Sequence, residues 1–129
     1  MKKLAKILLV DDDIDFVEAT KIVLESKPYK VIVAHEGNEA LRKAKEETPD
    51  LVLLDVIMPM KDGFSAAEQF KKDPKLSKIP VIMLTSYSSR KAGTSIPLGR
   101  GLELQAEDYM EKPITPEALL NKVEQYLKR

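Results

Sequence analysis

Leu51-Val-Leu-Leu-Asp55-Val-Ile-Met-Pro59 is the stretch that decides the fold. Its apolar residues follow one another without polar alternation, and Pro49-Asp50 precedes them. Such a run is typical of a strand that is buried on both faces of a sheet. Asp55 then stands at the carboxyl end of a buried strand, where a charge is costly unless a cation or hydrogen-bond donors accompany it. The rest of the chain must supply those partners.

The composition predicts one soluble domain spanning residues 1–129. A chain of 129 residues can build one substantial core but not two. Lys plus Arg and Asp plus Glu both number 21, so no overall charge favours nucleic acid or a membrane surface. The absence of cysteine excludes disulfides and thiolate metal sites and favours a cytoplasmic protein. The apolar run after Lys6 is too short for a signal peptide or a membrane span.

Short apolar runs alternate with helical patterns along the whole chain. The runs predicted as strands are residues 7–10, 29–34, 51–55, 79–84 and 108–111. Asp12 or Asp13 is the expected N-cap of the first helix, and Thr115 followed by Pro116 begins the last one. This alternation predicts an α/β fold: a single three-layer, doubly wound domain whose parallel sheet is covered by helices on both faces.

Polar residues stand where four of the predicted strands end, namely Asp11 and Asp12, Asp55, Thr85 and Lys112. These ends meet at one edge of a parallel sheet, where ligands bind in such folds. Three close carboxylates repel one another, and an all-oxygen ligand set suits Mg²⁺. Asp55 is then a candidate nucleophile for phosphoryl transfer, because aspartate carboxylates form aspartyl phosphates. Lys112 offers a point charge, and Thr85 a hydroxyl, to phosphoryl oxygens.

Each of these residues taken alone also has a simpler explanation. Asp11 to Asp13 could be a solvated capping cluster, and Asp55 could cap the turn that follows it. Thr85 could be structural, and Lys112 could be an ordinary surface lysine. The joint placement of the required residue types at four separate strand ends favours the functional interpretation.

The sequence resembles the receiver domain of two-component response regulators over nearly its whole length. The motifs that carry the resemblance are Leu8-Leu-Val-Asp-Asp-Asp13, Gly37-Asn-Glu-Ala-Leu41, the stretch from Pro49 to Pro59 with Asp62-Gly-Phe64, Pro80-Val-Ile-Met-Leu-Thr85, and Asp108-Tyr109 with Lys112-Pro113. The resemblance implies a flavodoxin-like, chemotaxis-regulator-like fold with five parallel strands in the order 2-1-3-4-5.

The resemblance also implies a role for each site residue. Asp55 would accept a phosphoryl group from a phosphohistidine on a sensor histidine kinase or a phosphotransfer protein. Asp11, Asp12, Asp55 and the backbone carbonyl of Ile57 would hold Mg²⁺, and Lys112 would contact the phosphoryl group next to a cis Lys112–Pro113 bond. Thr85 and Tyr109 would act as the switch that alters a protein-interaction surface for a downstream target.

The segment from residue 86 to 105 departs from the family pattern. It is longer than usual, and Gly93, Pro97, Gly99 and Gly101 fall where a regular fourth helix would lie. Because glycine costs about 1 kcal/mol and proline about 3 kcal/mol inside a helix, an atypical or shortened fourth helix is expected. Ile57 and Tyr87 follow Asp55 and Thr85 by two residues, and their bulk predicts slow self-dephosphorylation.

Two other function classes remain open at this point. Asp11-x-Asp13 and Asp13-x-Asp15 both resemble the nucleophile motif of haloacid-dehalogenase-like phosphatases. A receiver-like adaptor that is never phosphorylated is the other alternative. The leading interpretation is a phospho-acceptor switch that catalyses only its own phosphorylation and dephosphorylation and is otherwise not an enzyme. Since no DNA-binding motif or output domain follows the last helix, no direct nucleic-acid contact is expected of this chain, which is either a stand-alone receiver or a part of a longer regulator.

Overall fold

A computed structural model of the protein describes residues 4–56, 63–86 and 107–127. Strands and helices alternate along these ranges. The strands are β1 (Lys6–Val10), β2 (Lys30–Ala34), β3 (Leu51–Asp55), β4 (Val81–Ser86) and β5 (Asp108–Lys112). The helices are α1 (Ile14–Glu25), α2 (Gly37–Glu47), α3 (Gly63–Lys72) and α4 (Pro116–Leu127). All neighbouring strands pair in parallel, in the order β2-β1-β3-β4-β5, which confirms the predicted fold and strand order.

The central strand β3 is buried on both faces, as its composition predicts. All five of its residues are buried, and successive side chains point to opposite sides of the sheet. Val52 and Leu54 pack in a core cluster with α2 and α3. Leu51 and Leu53 pack in a second cluster with α1 and α4. Asp55, the last residue of β3, is therefore held by a strand that is fixed from both sides.

Helix caps explain where three of the four helices begin. The Asp13 carboxylate accepts a hydrogen bond from the Phe16 amide, so Asp13 is the N-cap of α1. The Thr115 hydroxyl accepts from the Ala118 amide, which confirms the predicted start of the last helix. α2 begins at Gly37, and its cap, which the sequence pattern did not reveal, is the Glu36 carboxylate, which accepts from the Asn38 and Glu39 amides.

Some strand boundaries differ from the prediction by one or two residues. β2 begins at Lys30 rather than Tyr29, because the Tyr29 amide donates to the Leu24 carbonyl in the turn that ends α1. β4 begins at Val81 rather than Ile79, since Pro80 has no N–H and the Ile79 amide donates to Leu76. β5 continues one residue further than predicted, to Lys112. The Lys112–Pro113 bond is cis, as the resemblance implied. The predicted irregular segment 86–105 lies, apart from the end of β4, outside the described residues, as do Ile57 and Tyr87.

Glu107 fixes the point at which the chain enters β5. Its carboxylate accepts from the Val81 amide at 2.7 Å and from Lys71 Nζ at 2.8 Å. Its own amide donates to the Val81 carbonyl at 2.8 Å. Lys71 also donates to the Ile79 carbonyl at 2.9 Å, so one carboxylate joins α3, β4 and β5.

We expect Glu107→Ala to lower the free energy of unfolding by about 1 kcal/mol, because it leaves the Val81 amide and the Lys71 ammonium without this acceptor. Urea unfolding of the two proteins measures the difference. Glu18→Ala, at an exposed position of α1, is the control and should stay within about 0.5 kcal/mol of the wild type. Equal effects of the two substitutions would contradict this role of Glu107.

Candidate functional site

Three carboxylates meet at the edge of the sheet formed by the carboxyl ends of the strands. Asp11 and Asp12 directly follow β1, and Asp55 ends the adjacent strand β3. Each offers an oxygen, and these oxygens all lie within 4.8 Å of one another. Asp11 and Asp55 are only 1% and 7% exposed, whereas Asp12 is exposed. The structure therefore brings together the three aspartates that the sequence singled out.

Asp11 is the best anchored of the three. Its amide donates to the Ala34 carbonyl at 3.1 Å, which extends the β1–β2 pairing by one residue. Its Oδ1 accepts from the Asp13 amide at 3.0 Å, and its Oδ2 accepts from Lys112 Nζ at 2.6 Å. Both carboxylate oxygens thus have a donor, which offsets the cost of burying this side chain almost completely.

Lys112 reaches the cluster from the end of β5. Its Nζ lies 2.6 Å from Asp11 Oδ2 and 3.5 Å from Asp55 Oδ1. It also lies 4.2 Å from the centroid of the Phe16 ring, within the range of a cation–π interaction. With a side chain only 18% exposed, this is a lysine held inside the site rather than a surface lysine.

The electrostatics of the site leave Asp55 short of positive charge. Burial, together with the nearby Asp11 and Asp12 carboxylates, raises the pKa of Asp55 from 3.8 to about 7. The Lys112 ammonium acts in the opposite direction and lowers the pKa of Asp55, but it is one cation facing three carboxylates. The neighbouring groups thus shift Asp55 towards its protonated form, whereas a divalent cation would shift it towards the ionised form.

The donor set fits a magnesium ion. Hard carboxylate oxygens are the ligands that Mg²⁺ takes while it keeps several of its waters. Such a cation would neutralise part of the excess negative charge and would lower the pKa of Asp55. The further ligand that the resemblance implied, the carbonyl of Ile57, lies outside the described residues.

Thr85 lies near the end of β4, the strand next to β3, and Tyr109 lies on β5, one strand further from Asp55. Thr85 follows Leu84, the register partner of Asp55, and its hydroxyl makes a long hydrogen bond of 3.5 Å to the Met110 carbonyl. The Tyr109 hydroxyl is buried and has no hydrogen-bond partner among the described residues. Burial also raises the pKa of Tyr109. Among the described residues, the Thr85 hydroxyl has one long hydrogen bond and the Tyr109 hydroxyl has none, so both could form shorter hydrogen bonds in another arrangement.

Two residues of the site were not predicted from the sequence. His35, to which no role was assigned, places Nδ1 3.2 Å from the Asp11 carbonyl oxygen. Phe16 covers Lys112 with its ring. A usable signal existed for Phe16, because it stands three residues after the N-cap Asp13, in the first turn of a helix that begins at the site.

The fold and the site together define a class: doubly wound α/β domains with an acidic cluster and a lysine at the carboxyl edge of the sheet. Within that class, the family model for the response regulator receiver domain matches residues 7–124. The chain therefore belongs to the response regulator receiver family.

Individual relatives and solved structures agree with this assignment. The chain is 39% identical over 124 residues to the alkaline phosphatase synthesis transcriptional regulatory protein PhoP of Bacillus subtilis, covering 96% of this chain and 49% of PhoP. It is also 39% identical to the transcriptional regulatory protein CpxR of Escherichia coli, covering 96% of this chain and 50% of CpxR. The chemotaxis response regulator CheY4 of Vibrio cholerae has a similar structure, with a TM-score of 0.84, 30% identity and coverage of 97% of this chain and 100% of that one.

These matches narrow the alternatives from the sequence. The matched family is that of the receiver domain, and the haloacid-dehalogenase alternative finds no support in it. The chain spans about half the length of the curated relatives it matches, and those relatives are named as transcriptional regulators. The expectation of no nucleic-acid contact therefore extends at most to this domain. Among the described residues, no helix is long and apolar enough to cross a membrane.

Proposed function

We propose that Asp55 accepts a phosphoryl group from a sensor histidine kinase or a phosphotransfer protein, in a reaction that depends on Mg²⁺. The observation that carries this proposal is the placement of Asp55 at the buried end of β3. It lies there within 4.8 Å of two further carboxylates and 3.5 Å from one ammonium group. No structural need of the fold explains this concentration of charge at one strand edge, whereas phosphoryl transfer requires charge neutralisation and fixed positions.

Each residue has a defined task in this reaction. Asp11, Asp12 and Asp55 would hold the cation, which supplies positive charge against the oxygens of the transferring phosphoryl group. A carboxylate oxygen of Asp55 attacks phosphorus while the phosphorus–nitrogen bond of the phosphohistidine breaks and the imidazole leaves with the electron pair. Lys112 donates to a phosphoryl oxygen from its position between Asp11 and Asp55. The buried strand β3 keeps the nucleophile from moving during the transfer.

Phosphorylation of Asp55 would then change the hydrogen bonding of the Thr85 and Tyr109 hydroxyls. A phosphoryl group on Asp55 offers strong acceptors to the Thr85 hydroxyl, whose present hydrogen bond to Met110 is 3.5 Å long. Movement of Thr85 would open space for Tyr109, whose buried hydroxyl has no hydrogen-bond partner among the described residues. The phosphoryl group thereby favours one of two arrangements and alters a surface that a downstream protein binds.

We also propose that residues 1–129 form a single receiver unit. The family model covers residues 7–124, and both core clusters are built within the described ranges.

Intact-mass measurement after incubation with acetyl phosphate and Mg²⁺ tests the acceptor role. The wild type should gain one phosphoryl group, whereas Asp55→Asn should gain none. Asp50→Asn is the matched control, because Asp50 lies at the opposite end of β3 and binds the Lys6 amide there. It should be modified like the wild type. Loss of the adduct in Asp13→Asn but not in Asp55→Asn would favour a nucleophile near residue 13 instead, and no adduct on the wild type would favour the adaptor.

A further inference from the structure

The Lys112 ammonium is held by three groups of different chemistry. Two are carboxylates, Asp11 at 2.6 Å and Asp55 at 3.5 Å, and the third is the Phe16 ring, whose centroid lies 4.2 Å away. The shorter ion pair links Lys112 to a carboxylate that faces the proposed cation site. Lys112 therefore lies closer to Asp11 than to Asp55.

A cation bound at Asp11 competes with this ion pair. Both positive charges need the same carboxylate, and their mutual repulsion weakens the hold of Asp11 on Lys112. The aromatic ring does not take part in this competition, because it attracts the ammonium through its quadrupole and offers no oxygen to a metal. The ring is thus the contact that Lys112 can keep when the Asp11 pair weakens.

The position of the ring is itself fixed by the fold. The Phe16 amide donates to the Asp13 carboxylate at 3.1 Å, which sets the residue in the first turn of α1. The side chain is partly buried and packs against the core cluster that contains Val17 and Leu119. It also lines a cleft of about 300 Å³ with Val23 and Ile114. A side chain held in this way can restrain a flexible lysine with little further loss of entropy.

We propose that Phe16 is a positioning residue for phosphoryl transfer: its ring keeps Lys112 beside Asp55 when a cation occupies the carboxylates. This inference rests on the proposed function, since it concerns the rate at which Asp55 is phosphorylated. A leucine fills much of the same apolar volume but has no π-face, whereas a tyrosine keeps the face. Comparison of these two substitutions therefore separates an effect on Lys112 from an effect on packing.

Phosphorylation rates with acetyl phosphate at saturating Mg²⁺ test the inference. Phe16→Leu should slow the reaction about fivefold, the size expected for loss of one partly desolvated cation–π contact. Phe16→Tyr should restore the rate to within about twofold of the wild type. Val23→Ala, which removes packing in the same cleft without changing a Lys112 contact, is the matched control and should react like the wild type. A wild-type rate in Phe16→Leu, or equal slowing in Val23→Ala, would overturn the proposal.

A spectroscopic measurement makes the test independent of turnover. Protons of the Lys112 side chain near the ring face should have upfield ring-current shifts in the wild type and in Phe16→Tyr, with and without Mg²⁺. Phe16→Leu should remove these shifts. If the shifts disappear from the wild type when Mg²⁺ is added, the ring does not hold Lys112 in the loaded site and the inference fails. Failure of the proposed function is distinguishable, because the wild type would then form no adduct at all.

Discussion

Replacing Lys112 with methionine is expected to slow the phosphorylation of Asp55 by acetyl phosphate about 100-fold at saturating Mg²⁺. Lys112 is the one ammonium group that the described residues place against Asp55 and Asp11, at 3.5 Å and 2.6 Å. Loss of one preorganised donor to the charge that develops in a transition state typically costs a factor of 10² to 10³. Methionine keeps the length of the side chain and its apolar stem, so packing against Phe16 is largely retained.

The same substitution should change metal binding in the opposite direction. Without Lys112, the Asp11 carboxylate loses its closest positive partner and becomes a better ligand for a cation, so Mg²⁺ affinity should rise about tenfold. Titration with Mg²⁺ followed by NMR or calorimetry measures this, and stopped-flow kinetics measures the transfer. Lys122→Met is the control, because Lys122 is a comparably buried lysine that pairs with Asp108, away from the carboxylate cluster. If both lysine variants reacted at the wild-type rate, Lys112 would have no part in the chemistry.

The sequence allowed the fold to be predicted because its central strands are apolar on both faces. Runs such as Leu51–Leu54 are apolar at every position, and this pattern suits only a sheet that is covered on both sides. Boundaries were less predictable, since they depend on single hydrogen bonds. The β4 strand begins after Pro80 because proline cannot donate to the ladder, and α2 is capped by Glu36, a residue type that is not among the usual N-caps.

The site was predictable to the extent that topology alone assembles it. Parallel strands bring their carboxyl ends to one edge, so Asp11, Asp55 and Lys112 could be grouped without knowledge of any distance. The contact of Phe16 with Lys112 could not be predicted in this way, because it depends on the side-chain direction at the first turn of α1. The sequence also could not predict which carboxylate lies closer to Lys112. Both Asp11 and Asp55 were possible partners, and only the distances show that the ammonium group lies closer to Asp11.

Asp55→Asn is expected to stabilise the metal-free protein by about 2 kcal/mol at pH 8.5. The pKa of Asp55 is about 7 in the folded protein, against an ordinary value of 3.8. At pH values between these two pKa values, the folded state binds more protons than the unfolded state. The free energy of unfolding therefore falls as the pH rises through this window. The whole shift would correspond to about 4 kcal/mol, and we expect about half of it because the buried asparagine amide also loses its hydration. Asparagine is not ionised at any of these pH values and removes the effect.

Urea unfolding at pH 4 and pH 8.5, with and without Mg²⁺, tests this prediction. The advantage of Asp55→Asn should be small at pH 4, where the wild-type carboxyl is protonated in the folded state, and should reach its full size above pH 7. Mg²⁺ should stabilise the wild type much more than the variant, since the ion binds the folded carboxylates, and so it should reduce the difference at pH 8.5. Asp50→Asn, which removes a carboxylate bound to the Lys6 amide at the other end of β3, should gain no stability at either pH. A difference between Asp55→Asn and the wild type that stayed constant from pH 4 to pH 8.5 would mean that the substitution acts through packing. The shared charge of the three aspartates would then not be what destabilises the metal-free site.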